Sequence, residues 1–128
     1  MEIKPLTNLL SVCGQITPGD VSKIAELGFK TIINNRPDRE APRQPRTKTL
    51  AARAKQAGIC YIYLPVISGQ LTQENVDEFA RLLADVKGPV LAFCRTGTRS
   101  ANLWARANPD KLSADEVKQI GAAAGYAL

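Results

Sequence analysis

Along this chain the apolar positions switch repeatedly between a short, nearly continuous run and a helical spacing, and the switches lay out its elements. Leu9 to Gly14 reads as a strand. Pro18, Gly19 and Asp20 then open a helix whose stripe is Val21, Ile24, Ala25 and Leu27, and Gly28 stops it. Phe29 to Asn35 is a second strand, and Pro37, Pro42 and Pro45 force the next stretch into loop. Thr47 to Ala57 predicts a helix closed by Gly58, and Ile59 to Val66 a strand rich in β-formers. After the turn Ser68-Gly69-Gln70, Thr72 opens a helix with Val76, Phe79, Leu82, Leu83 and Val86 on one face, ended by Gly88-Pro89. Val90 to Cys94 is the fourth strand, and helices over Thr98 to Ala107 and Ala114 to Ala124 finish the chain.

Strands alternating with helices predict an α/β fold: one domain over residues 1–128, with a mostly parallel four-stranded sheet covered by helices on both faces. In such sheets ligands bind beyond the carboxyl ends of the strands. Three loops meet that condition here, Arg36 to Glu40, Ser68 to Gln70, and the segment that begins at Cys94.

Composition narrows the chemistry. Hydrophobic residues make up 45% of the 128, no apolar run approaches a membrane span, and the N-terminus lacks the pattern of a secretory signal. Three cysteines at no metal-ligand spacing suit a reducing compartment, so the expectation is a soluble cytoplasmic protein that engages no membrane. Histidine is absent, which removes Cys-His and Ser-His dyads and histidine-ligated metals. A cysteine needs no histidine, because positive charge and helix-end dipoles favour its thiolate. The net charge is +5, with basic residues gathered between Arg36 and Lys55 and only Asp38 and Glu40 against them. No aromatic residue stands among them, so a small anion is the expected partner rather than nucleic acid.

The segment Cys94-Arg95-Thr96-Gly97-Thr98-Arg99-Ser100 carries the chemistry. A turn from strand to helix presents successive backbone N–H groups, the helix start adds partial positive charge, and Gly97 allows backbone angles that other residues avoid. Arg99 brings a forked cation. Cys94 is therefore the expected nucleophile, with Arg99 catalytic beside it. Arg95, Thr96, Gly97 and Thr98 are expected to bind the anion, Arg36 to reach it from the neighbouring loop, and Ser100 to donate to the sulfur. Cys60 is expected to be a core residue, and Cys13 to stand at the rim, either packed or poised to resolve an intermediate. Six residues from Cys94 to Arg99 give C-x4-R, one fewer than the C-x5-R of cysteine phosphatases and the same as the CRxGxRS of single-domain rhodaneses.

The stretches LGFKTIINNRPDRE, AGICYIYLPV and PVLAFCRTGTRS resemble the bacterial beta-lactamase-hydrolase-like family, over nearly the whole chain. The resemblance implies a dual-specificity-phosphatase-like fold with the cysteine strand central. Some members are fused to a persulfide dioxygenase, which the resemblance names as a partner, and others have been treated as phosphatases. A phosphatase needs an acid for its leaving group. Relatives usually carry an aspartate after the strand that here reads IYLPV, where this chain has Ile67 to Gln70. Asp38 is the first substitute and Glu74 the second, each with an ordinary structural alternative. The short loop and the missing acid favour a sulfurtransferase that takes sulfane sulfur from thiosulfate or glutathione persulfide onto Cys94 and passes it to a thiol, sulfite or cyanide. A cysteine-dependent phosphatase and a non-catalytic anion or persulfide sensor stand as alternatives, and no metal or organic cofactor is implied.

Overall fold

The computed structural model describes residues 1–128. Its centre is a sheet of strands β1 (Lys4–Pro5), β2 (Leu10–Cys13), β3 (Thr31–Asn34), β4 (Cys60–Tyr63) and β5 (Val90–Phe93) in the order β1-β2-β5-β3-β4. Five helices, α1 (Asp20–Glu26), α2 (Thr47–Ala57), α3 (Gln73–Asp85), α4 (Thr98–Ala107) and α5 (Ala114–Ala124), flank it. The sheet thus has five strands where the sequence predicted four. The addition, β1, is two residues long and pairs antiparallel with β2, while β2, β5, β3 and β4 run parallel. No helix is long and apolar enough to cross a membrane.

β5 sits in the middle, and its alternate residues feed two cores, because successive side chains on a strand face opposite ways. Val90 and Ala92 join Val12, Ile33, Phe79, Leu103 and Trp104 on the face covered by α3, α4 and α5. Leu91 and Phe93 join Cys13, Ile24, Ile32, Leu50 and Ala54 on the face covered by α1 and α2. β4 is the sheet edge and all four of its residues are exposed or half-buried, so Cys60 is exposed rather than in the core as expected.

Helix ends follow local chemistry. Thr72 and Ser113 each cap their helix through a reciprocal box, with Asn75 and Glu116 reaching back. Gly58 closes α2 with φ of 76°, in the left-handed region that glycine enters without steric cost. In the parallel register, Cys13, Phe93, Asn34 and Tyr63 form the last row of the sheet, one from each parallel strand. The residues that follow, Gly14, Cys94, Asn35 and Leu64, form the rim above it.

Candidate active site

Cys94 lies at that rim, 1% exposed, directly after the central strand. The backbone N–H of Gly97 donates to its Sγ at 3.1 Å. Gly97 holds φ of 91°, and this left-handed turn leads the chain from the Cys94 loop into α4. The N–H groups of Arg95, Thr96, Thr98, Arg99 and Ser100 donate to no protein acceptor. Five unused donors beside a buried thiol, at the positive end of a ten-residue helix, make an anion cradle.

The cradle is braced from behind. Arg95 C=O accepts from Gln15 N–H at 3.2 Å, and Thr96 C=O accepts from the Tyr126 hydroxyl at 3.1 Å. A Cβ at Gly97 would stand 2.1 Å from Tyr126 Oη, and one at Gly14 3.0 Å from Arg95 O. Both glycines therefore permit close approach as well as conformation. Burial, then the charges of Cys94 and Cys13, push the Tyr126 phenol up from its ordinary value.

Arg99 is fixed by two other loops. Its Nη1 donates to Glu40 Oε2 at 2.7 Å and to Val66 O at 3.0 Å, and its Nη2 donates to Glu40 Oε1 at 2.9 Å. Glu40 is shared: Arg36 Nε donates to its Oε1 at 2.9 Å. The hydrogen bond from Arg99, reinforced by that from Arg36, holds the Glu40 carboxyl below its usual value against the opposing pull of burial. Glu40 in turn raises Arg99, and Cys94 adds to the rise. The fork is thus held by a carboxylate that stays ionised.

The three loops expected at one rim do meet there, but several side chains take other parts. Ser100 does not donate to the sulfur; its hydroxyl donates to Asn35 Oδ1 at 2.7 Å, inside the core. Arg36 does not face the anion; it is buried behind Glu40, and its Nη1 donates to Gln15 Oε1 at 3.0 Å. Asp38, expected among the catalytic residues, holds the start of α2, where its Oδ1 accepts from Thr47 N–H at 2.9 Å. Glu74 lies in the first turn of α3, away from the cysteine loop in sequence and exposed. Cys13 takes the packed rather than the poised place: it is 1% exposed, and burial, with Cys94 adding to it, pushes its thiol up to about 12.

Glu40, Asn35, Val66, Gln15 and Tyr126 are site residues that the sequence reading passed over. Asn35 alone gave a usable signal, as one of two adjacent amides ending an apolar strand. Its Nδ2 donates to Leu64 O at 3.0 Å while its Oδ1 accepts from Ser100, so it ties the loop after β4 to α4.

Comparison with known proteins corrects the reading of the reaction. A candidate phosphatase from Neisseria meningitidis is 38% identical, with a TM-score of 0.89 over 100% of this chain and 92% of its own. TpbA of Pseudomonas aeruginosa, solved with phosphotyrosine, is 18% identical, with a TM-score of 0.71 over 97% of this chain and 75% of its own, and shows the fold alone. The Neisseria relative is described as a candidate phosphatase and the matching family as phosphatase-like, and this overturns the expectation of sulfur transfer. The loop count carried too much weight. The cradle is built from the loop and the first turn of α4 together, and five N–H groups remain in it although C-x4-R is one residue short. A Xylella fastidiosa beta-lactamase hydrolase-like protein is 35% identical over 130 residues, covering all of this chain, which spans 30% of that relative's length. Residues 2–111 match the family described as the beta-lactamase hydrolase-like protein, phosphatase-like domain, and the chain belongs to that family.

Proposed function

We propose that this chain is a cysteine-dependent phosphatase acting through a phosphocysteine on Cys94. The observation that carries the reading is the strand-to-helix turn that begins at Cys94: the Gly97 N–H donates to its sulfur, five further N–H groups of the turn have no protein acceptor, and Arg99 is anchored at its end. A phosphoryl group seated there has its oxygens toward the N–H groups and toward Arg99, whose Nε–H is taken by neither Glu40 nor Val66, and its phosphorus toward the thiolate. Attack forms the S–P bond and breaks the ester P–O bond, and the leaving oxygen departs with the electron pair. Water then attacks the phosphocysteine, phosphate leaves, and the thiolate returns. The N–H groups act on the charge that develops on the equatorial oxygens, without reorganising during the step.

Leaving-group protonation has no free carboxyl acid among Glu40 and Asp38. Glu40 is held ionised by two arginines, and Asp38 accepts a backbone hydrogen bond at the start of α2. Esters whose leaving group is stable as an anion are therefore the favoured substrates. The test is phosphate release from 4-nitrophenyl phosphate and from an alkyl phosphate, with mass spectrometry of the quenched enzyme. The expected result is aryl turnover far above alkyl turnover and a gain of one phosphoryl group on Cys94. Absence of both phosphate release and the adduct overturns the reading.

A further inference from the structure

A groove of about 500 Å³ leaves the cradle along α4, between that helix and the loop after β4. Its wall holds Arg95, Arg99 and Arg106, together with Ser68, Thr98 and Asn102, and no carboxylate. Arg99, Asn102 and Arg106 stand at i, i+3 and i+7, so they share one face of α4. Two turns separate the arginines, roughly 10 Å along the axis.

The arginines of the site fall into two kinds. Arg36 and Arg99 are neutralised by Glu40. Arg95 and Arg106 belong to no ion pair; Arg106 makes only a 3.3 Å bond from Nη1 to the Leu71 carbonyl, which leaves most of its fork for a ligand. That bond aims the guanidinium across the groove without cancelling its charge. Asn102 sits between the two arginines, with its Nδ2 given to Thr98 O at 2.9 Å and its Oδ1 accepting nothing.

We propose that this groove is a second anion subsite, and that the substrate is a small phosphate ester carrying a second phosphate about two helical turns from the one hydrolysed. The inference rests on the phosphatase reading and extends it to substrate class. The scissile phosphate takes the cradle, the linking scaffold lies over Thr98 and Asn102, and the second phosphate meets Arg106. Forked charge-assisted bonds to phosphate are the interaction arginine makes best.

The experiment compares 2-naphthyl phosphate with naphthalene-2,6-diyl bisphosphate, which both expel a 2-naphtholate and differ by the phosphate that the second carries at its far end. With the wild-type protein the bisphosphate should show a kcat/KM at least about tenfold higher, through KM, as expected of a hydrogen bond between charged groups. The advantage should shrink as salt rises. Arg106→Ala and Arg106→Gln should erase it and leave the monophosphate constants unchanged; the glutamine variant keeps a donor for the Leu71 carbonyl, so its loss is one of charge. Equal constants for the two esters in wild type, or equal losses on both in the variants, overturn the subsite while the phosphatase reading stands. If neither ester is turned over, the phosphatase reading fails. The subsite is then judged by calorimetric binding of the same two esters to the Cys94→Ser protein with and without Arg106→Gln, where selective loss of bisphosphate binding supports it and its absence overturns it.

Discussion

Two cysteines end adjacent parallel strands, one residue out of register, and both are 1% exposed. Cys13, at the end of β2, packs among Ile16, Val21 and Phe93 in an apolar cluster. Cys94, just beyond β5, receives the Gly97 N–H and stands among donors with no other acceptor. Burial is common to the two and donors are not. Burial lifts the Cys13 thiol toward inertness because it penalises the charged form, and the charges of Cys94 and Asp20 add to the rise. What distinguishes the second strand end is the geometry of backbone that follows it, a left-handed glycine leading into a helix, and neither strand nor burial supplies that.

The comparison breaks most completely at the sulfur itself. Cys94→Ser should abolish phosphate release with an unchanged circular dichroism spectrum. If activity instead persists there and is lost in Cys13→Ala, the assignment of the two cysteines is reversed. Next in size is Gly97→Ala. The added Cβ would meet Tyr126 Oη, and φ of 91° strains any L side chain, so the loop must shift and the N–H to the sulfur moves with it. Loss of one such donor costs about 10²–10³ in turnover. A folded Gly97→Ala protein with wild-type kcat would show that the loop geometry is not what sets Cys94 apart.

Glu40→Gln should have an intermediate effect. It removes the charge that holds Arg99, and hydrogen bonds to charged groups are worth about 1.5–3 kcal/mol, so kcat/KM should fall about 10- to 100-fold. The sign of the pH dependence follows from the lowered Glu40 value. A carboxyl depressed in the folded state contributes stability that is present above its ordinary value of 4.5 and is lost as pH falls through the folded one. Wild type should therefore lose melting temperature across that acid window more steeply than Glu40→Gln, and parallel curves would remove Glu40 from the network. The smallest effects belong to the other cysteines. Cys13→Ala should leave kcat within about twofold and cost about 1 kcal/mol of stability as a small core truncation, while exposed Cys60→Ser should stay within about 0.5 kcal/mol, both read by denaturant midpoints.

The fold was legible where local chemistry fixes an end. α2, α4 and α5 run over the residues expected because Gly58, Asn108-Pro109 and the Ser113 box each stop or start a helix without tertiary help. β1 was not legible: it is two residues long, includes Pro5, and exists only through its pairing with β2. The burial expected of Cys60 failed for a related reason, since a strand rich in β-formers looks alike at the centre and the margin until its neighbours are known. In the site, Cys94, Gly97 and Arg99 were visible because they lie within six residues of one another. Glu40 was read only as a stray acid in a basic loop. Its partner lies 59 residues away, and nothing in either segment announces the pairing. Ser100 pointed the wrong way for the same reason, because its acceptor Asn35 arrives from another strand.

Asn35 has a further consequence for how the site opens. Its N–H donates to Phe93 O at 2.8 Å, its C=O accepts from Val66 N–H at 2.9 Å, and its side chain joins Leu64 and Ser100. One residue is thereby stitched to the central strand, to the loop that holds Arg99, and to the helix that carries it. Fluctuations that would part these segments must break several buried bonds at once, so the nucleophile and its arginine belong to the same cooperative unit as the middle of the sheet. In amide exchange, the protons of Asn35 and Val66 should persist with those of β5 long after Ser68 and Gly69, only a few positions along the chain, have been replaced by deuterium.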